Sequence, residues 1–210
     1  MIVILGFGDW ELFGILDLEL GILKMGHWTL IIGGARSGKS SHALKMARGF
    51  GPARYYVATA RAGDKEMRER ILNHKKERGS DFQTIEEQHE LTRALLGLPA
   101  DARVVVVDCL TLWVNNLLLA EKREEKIKKI IEELLETKKQ VKVPIIWVSN
   151  EVGQGIVPND PLSRRYQDLL GWTNQRFAGV SNRVIQMVAG LPIQVKSSKE
   201  AGRPARQISR

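Results

Sequence analysis

The chain has 210 residues, 43% hydrophobic and 27% charged, with one cysteine and a formal net charge of +8. That length and usage suit one globular domain with a core of its own. They exclude general disorder, a disulfide framework and any multi-cysteine zinc or iron–sulfur site.

A lone Cys109 sets the expectation of a reducing cytoplasm. The apolar N-terminus is interrupted by Asp9, Glu11, Asp17 and Glu19, so no membrane span is expected, and it lacks the basic start of a secretory signal. Residues 1–28 are net acidic, with four acids against Lys24, while residues 196–210 are basic and the body between is strongly positive. An anionic ligand fits that balance, either nucleic acid or a phosphorylated small molecule; so does a plain solvated basic surface.

The first buried strand is expected at 29–32, an apolar run ending in glycines. A helix follows over 40–49 and a second strand over 54–58. Residues 64–78 read as a charged helix with Asp64 as N-cap. An extended piece at 82–86 leads to a helix over 89–98, and Val104 to Val107 form a buried strand ending at Asp108. Helices are expected from Leu110 and over 124–139, the second carrying an apolar stripe of Ile127, Ile130, Ile131, Leu134 and Leu135. A buried strand at 145–148 precedes a Gly- and Pro-containing loop over 150–161, then a helix over 163–178. Strands at 184–188 and 193–195 close the core, and the tail beyond Lys196 is expected to be disordered. Uniformly apolar strands alternating with helices predict an α/β fold with a largely parallel sheet covered on both faces.

The strongest motif is Gly33-Gly34-Ala35-Arg36-Ser37-Gly38-Lys39-Ser40, which fits G-x-x-x-x-G-K-[ST]. Its glycines let the backbone turn its N–H groups toward phosphate oxygens, and the next helix adds a partial positive charge. Lys39 is expected to reach the outer phosphates and the Ser40 hydroxyl to ligate Mg²⁺. Asp108, at the end of another buried strand, is the expected second Mg²⁺ ligand; capping the following helix is a compatible role.

Of four histidines, His27 reads as incidental, His42 as a packed or surface helix residue and His89 as a residue at a helix start. His74 lies among Lys75, Lys76 and Arg78, whose charges favour a neutral imidazole with the lone pair a nucleophile needs. On local grounds a plain surface histidine stays open beside that reading. Asn150 and Glu151 either contact substrate or Mg²⁺ or belong to a structural turn built with Gly153, Gly155 and Pro158. Trp113, Trp147 and Trp172 read as core or interface, and Cys109 as a small packing residue. No basic–aromatic interleaving suggests a nucleic-acid platform.

Taken in order, GGARSGKS (33–40), YYVATA (55–60), RILNHKKER (70–78), TIE (84–86), VVDCLTLWVNNLL (106–118), SNEVGQGIVP (149–158) and LSRRYQDLLGWTNQRFA (162–178) resemble a known family. It is the bifunctional adenosylcobinamide kinase / adenosylcobinamide-phosphate guanylyltransferase of cobalamin biosynthesis, the CobU/CobP type. The resemblance covers 29–195.

The resemblance implies a RecA-like P-loop NTPase fold and two activities. One passes the γ-phosphoryl of ATP or GTP to adenosylcobinamide. The other passes GMP from GTP, through a GMP–histidine adduct, to adenosylcobinamide phosphate. It maps the guanylylated histidine onto His74. Nucleotide contacts map onto Gly33 through Ser40, onto Thr59, Ala60 and Arg61, onto Lys75, Lys76, Glu77 and Arg78, and onto Glu86 and Asp108. It also implies a homotrimer, with Mg²⁺ as cofactor and no nucleic acid as partner. Phe82 stands where the family often has Trp. Residues 1–28 are a larger departure: Met25-Gly26-His27-Trp28 is a natural start, so the extension is either a misassigned translation start, the favoured reading, or a segment packed on the core or a partner.

Overall fold

The computed structural model describes residues 26–63 and 65–197. The expected Asp64 cap, the extension up to residue 25 and the tail from residue 198 lie outside the described residues. In chain order the elements are β1 (Trp28–Gly33), α1 (Lys39–Arg48), β2 (Arg54–Ala58), α2 (Lys65–Arg78), β3 (Phe82–Glu86), α3 (Leu91–Leu96) and β4 (Val104–Asp108). There follow α4 (Leu110–Ala120), α5 (Glu124–Glu136), a 3-10 turn (Thr137–Lys139), β5 (Ile145–Val148), α6 (Pro161–Val180), β6 (Arg183–Val188) and β7 (Leu191–Lys196).

The strands form one sheet in the order β3-β2-β4-β5-β1-β6-β7. Every pairing is parallel except β6 with β7, an antiparallel hairpin. The position of each strand follows from its residues. Val104 to Val107 and Ile145 to Val148 are apolar on both faces, so β4 and β5 take the middle. In β3, Gln83, Thr84 and Glu86 are exposed, as an edge strand allows.

The two faces are covered unequally. On one, Ala43, Leu44 and Ala47 of α1 pack on Ile31, Val106 and Ile146. On the other, α3 to α6 cover Leu30, Val105, Val107 and Trp147 in a larger cluster. Trp147 lies 5.0 Å from the Trp28 ring and 4.8 Å from the Phe177 ring. That aromatic contact fixes β1 and α6 against β5.

Several boundaries differ from expectation. The core begins before Thr29: Trp28 opens β1 fully buried and His27 is buried beside it, so His27 belongs to the packed body. α3 is shorter than 89–98, because Glu87 Oε1 accepts the N–H groups of His89 and Glu90 in a turn that precedes it. The helix expected over 124–139 ends at Glu136 and tightens into the 3-10 turn, while Ile127, Ile131, Leu134 and Leu135 bury as expected and Ile130 only partly. α6 starts earlier than Ser163, with Asp160 as N-cap and Pro161 in its first turn. Among the described residues no helix is long and apolar enough to cross a membrane.

Candidate active site

Parallel strands direct their carboxyl ends to one edge of a sheet, where α/β folds bind ligands. Here the edge opens into a cavity of about 750 Å³ between the loop after β1, the ends of β2, β4 and β5, and α2.

The loop after β1 has the backbone its sequence predicts. Gly38 caps α1 in a left-handed conformation at φ 87°. Gly33 sits at φ +154°, and a Cβ there would lie 2.5 Å from the Met187 carbonyl oxygen and 2.8 Å from Ser37 Oγ. No other residue fits that position. Lys39 is buried and its ammonium donates to the Gly34 carbonyl of the same loop. Burial pulls its pKa below the ordinary value. Ala35 to Ser40 line the cavity.

At the end of β4, Asp108 also lines the cavity, and its Oδ2 accepts a 2.8 Å hydrogen bond from the Tyr56 hydroxyl. The capping role considered for Asp108 is not what it does: Cys109 occupies the N-cap of α4. Cys109 is partly buried, and burial pushes its thiol up to about 12, in keeping with an inert packing residue. Thr59 faces the same turn. Its Oγ1 donates to the Cys109 carbonyl at 2.7 Å and accepts from the Cys109 N–H at 2.7 Å, so its hydroxyl is spent on holding β2 to β4. Ala60 and Arg61 line the cavity.

α2 closes the site from the side of α1. It is a polar helix; among its described side chains the buried charged one is Arg78, with its guanidinium 4.1 Å from the centre of the Tyr56 ring. Polar contacts do the rest of the docking. Ser41 of α1 donates to Glu77 Oε1, and Arg48 donates to the carbonyls of Glu77 at 3.2 Å and Arg78 at 3.4 Å. Lys75 donates to Glu86 Oε1 at 2.9 Å and holds that carboxyl below its usual range.

This arrangement presents His74 at the cavity, half exposed, with Nδ1 4.0 Å from Glu77 Oε2. An acid therefore stands beside the imidazole, in addition to the cations the sequence placed around it. His74, Lys75, Glu77, Arg78 and Glu86 all line the cavity; Lys76, Thr59, Gly33 and Gly34 do not. His42 is half-buried on α1, and burial, Arg183 and Lys45 lower its pKa. His89 serves α4 through its carbonyl, which accepts from Trp113 Nε1 at 2.9 Å. Tyr56, Ser41, Asn73 and Gln88 line the cavity without having been singled out. For Tyr56 the available signal was its place in YYVATA, two residues before the end of a buried strand.

A glycine-rich loop closing on a lysine at the head of α1, an aspartate ending a neighbouring strand and a parallel sheet of this order define a P-loop NTPase of the RecA-like kind. In agreement, the flagellar accessory protein FlaH from Methanocaldococcus jannaschii superposes with a TM-score of 0.52 at 16% identity, over 90% of this chain and 87% of that one. Residues 29–195 match the family described as cobinamide kinase / cobinamide phosphate guanyltransferase, CobU. The chain is 46% identical over 167 residues to the bifunctional adenosylcobalamin biosynthesis protein CobP of Pseudomonas aeruginosa, spanning 80% of this chain and 96% of that protein. It is 34% identical over 179 residues to the protein CobU of Salmonella typhimurium, spanning 80% and 98%. The chain belongs to the cobinamide kinase / cobinamide phosphate guanyltransferase family and is an enzyme of that family.

Proposed function

We propose that the chain phosphorylates adenosylcobinamide and then guanylylates the product, with one cavity serving both steps. In the first step the γ-phosphoryl group of ATP or GTP passes to the aminopropanol hydroxyl of adenosylcobinamide. In the second, His74 attacks the α-phosphorus of GTP and pyrophosphate leaves. The phosphate of adenosylcobinamide phosphate then displaces the histidine, giving adenosylcobinamide-GDP. A covalent intermediate divides one difficult transfer into two easier ones. The observation that carries this reading is that Lys39, Ser40, Asp108 and His74 line the same cavity.

The residues present suit Mg²⁺. Ser40 offers a hydroxyl and Asp108 a carboxylate, the hard oxygen donors this ion takes, with substrate phosphates and water supplying the rest of its shell. When bound, Mg²⁺ neutralises charge on the phosphate oxygens. The loop N–H groups and the start of α1 hold the phosphates, and Lys39 turns from the Gly34 carbonyl to the outer ones. With Nδ1 facing Glu77, Nε2 is the nitrogen assigned to attack. Lys75 and Arg78 offset charge on the triphosphate as the α-phosphorus is attacked. A cytoplasmic homotrimer is the assembly this reading carries over from the family resemblance.

The test is covalent labelling. The protein is incubated with α-³²P-labelled GTP and Mg²⁺, and resolved under denaturing conditions beside His74→Ala. Acid-labile, alkali-stable label on the wild type and none on the variant is the expected result. An unlabelled wild type that is folded and binds GTP rejects the histidine intermediate.

A further inference from the structure

Asn150 and Glu151, adjacent beyond the end of β5, have different surroundings. Glu151 donates its N–H to the Gly33 carbonyl at 3.0 Å, and its Oε1 accepts the Gly153 N–H at 3.0 Å. It therefore builds the turn. Asn150 lines the cavity.

The position of Asn150 follows from strand order. β5 lies directly between β1, whose loop carries Lys39, and β4, which ends in Asp108. A residue leaving the carboxyl end of β5 emerges between those two groups. The backbone there is clamped from two helices. The Asn150 N–H donates to Thr111 Oγ1 of α4 at 2.7 Å, and its carbonyl accepts from Asn174 Nδ2 of α6 at 3.0 Å. Both clamping side chains are buried and are themselves held. Ser149 Oγ donates to Asn174 Oδ1 at 2.6 Å, and the Tyr166 hydroxyl donates to the Thr111 carbonyl at 3.1 Å. None of these bonds uses the Asn150 carboxamide. Glu151 and the glycines already make the turn, so this second set of bonds serves to fix where Asn150 stands.

We propose that Asn150 is a catalytic residue of the phosphoryl-transfer step, its carboxamide N–H donating to an oxygen of the transferring γ-phosphoryl group. Asn174 and Thr111 are its positioning residues. This rests on the two-step reading above. In that step the bond from γ-phosphorus to the β,γ-bridging oxygen breaks and the nucleoside diphosphate leaves with its electron pair. The acceptor hydroxyl oxygen forms the new bond to phosphorus, and the hydroxyl proton passes to water. Charge spreads over the equatorial oxygens, where a pre-positioned donor acts most strongly. A neutral amide suits a place between Lys39 and Asp108, since it forms an ion pair with neither and adds no charge to the site.

The experiment uses the full chain and compares wild type, Asn150→Ala, the near-isosteric Asn150→Asp, and Asn174→Asp. The last keeps the acceptor for Ser149 and removes the donor to Asn150. Three quantities are read: kcat of adenosylcobinamide phosphorylation, affinity for a fluorescent GTP analogue, and the rate of His74 labelling from α-³²P-labelled GTP. Asn150→Ala is expected to lower the phosphorylation kcat by about 100-fold, the usual loss for one transition-state donor. Nucleotide affinity and labelling rate stay within about threefold, the difference that marks a contact made only in the transition state. Asn150→Asp falls at least as far, and Asn174→Asp loses about tenfold in kcat with the KM for nucleotide unchanged. A wild-type kcat in Asn150→Asp, or equal losses in nucleotide affinity and both half-reactions, overturns the proposal and leaves Asn150 a structural residue. If the wild type itself neither phosphorylates adenosylcobinamide nor takes label, the two-step reading falls and this proposal with it.

Discussion

The Tyr56 hydroxyl donates to Asp108 Oδ2 at 2.8 Å across two adjacent parallel strands. In that register Tyr56 pairs with Val106 and Ala58 with Asp108, so the two side chains share one face of the sheet a diagonal step apart. Burial and the Asp108 charge hold the phenol well above its ordinary pKa, so it stays a donor throughout the neutral range. One carboxylate oxygen is thereby committed and the group's orientation is set. Tyr56→Phe removes the donor and keeps the ring. It is expected to raise the half-saturating Mg²⁺ concentration about tenfold, the usual cost of losing a partner behind a metal ligand. Mn²⁺ binding in the presence of GTP, followed by electron paramagnetic resonance, checks this independently of turnover. An unchanged affinity would show that Asp108 is oriented by other means.

Arg78 lies over the ring of the same tyrosine. Arg78 is 4% exposed, and among its described side chains α2 has little other buried surface to hold it in place. A desolvated cation over an aromatic ring contributes about 2 kcal/mol. Arg78→Ala should therefore lower Tm by about 4–8 °C in a chain of this size. Arg78→Lys should recover only part, since an ammonium cannot lie flat on the ring. Hydrogen exchange locates the effect: α2 amides should exchange faster in Arg78→Ala while those of α4 hold. Uniform acceleration across both helices would mean that Arg78 supports the whole domain rather than the docking of α2.

What the sequence made legible was local. The strand–loop–helix of residues 28–48 is written in an apolar run, a glycine pattern and a lysine, and the structure reproduces it. The same holds for the buried valines that end at Asp108. The unread parts are long-range: Tyr56 and Asp108 are 52 residues apart, and Asn150 and Asn174 are 24 apart. No periodicity carries such pairings. Thr59 was expected at the nucleotide, yet its hydroxyl is used in both directions by Cys109, a contact that exists only once β2 and β4 lie side by side. Glu77 was grouped with the cations beside it, and only the packing of α2 on α1 turns it to Ser41 and His74. The start of α6 was different. Asp160-Pro161 is an N-cap followed by a first-turn proline, a signal present in the sequence and passed over.

Two glycines of the phosphate loop should respond differently to the same substitution. At Gly33 an added Cβ meets backbone, the Met187 carbonyl oxygen at 2.5 Å, which cannot withdraw without breaking the β1–β6 pairing. At Gly38 the nearest atom to an added Cβ is Gly190 Cα at 3.4 Å, an ordinary contact, so the cost there is the conformational strain of φ +87°, about 1–2 kcal/mol. Gly38→Ala should fold with a modestly lower Tm, while Gly33→Ala should lose soluble yield or nucleotide binding outright. Circular dichroism melts and titration with a fluorescent GTP analogue separate the two outcomes. Equal effects would place the constraint in the loop's bonding to phosphate rather than in its packing on β6.

The cap of α6 makes a stability prediction with a definite pH sign. The Asp160 carboxylate accepts the N–H groups of Leu162 at 3.0 Å and Ser163 at 3.1 Å, and Ser163 holds its pKa below the ordinary 3.8. A carboxyl with a depressed folded pKa stabilises the native state above its unfolded value, and that contribution is lost as pH falls through the folded one. Asp160→Ala should therefore lower the urea midpoint at pH 7, with the gap to wild type narrowing as pH falls below the ordinary 3.8. Asp160→Asn accepts the same N–H groups but does not titrate. Its midpoint should stay near that of the wild type at pH 7 and vary less as the solution is acidified. A gap between Asp160→Ala and wild type that is the same at pH 7 and pH 3 would show that the charge of the cap, as distinct from its hydrogen bonds, contributes nothing.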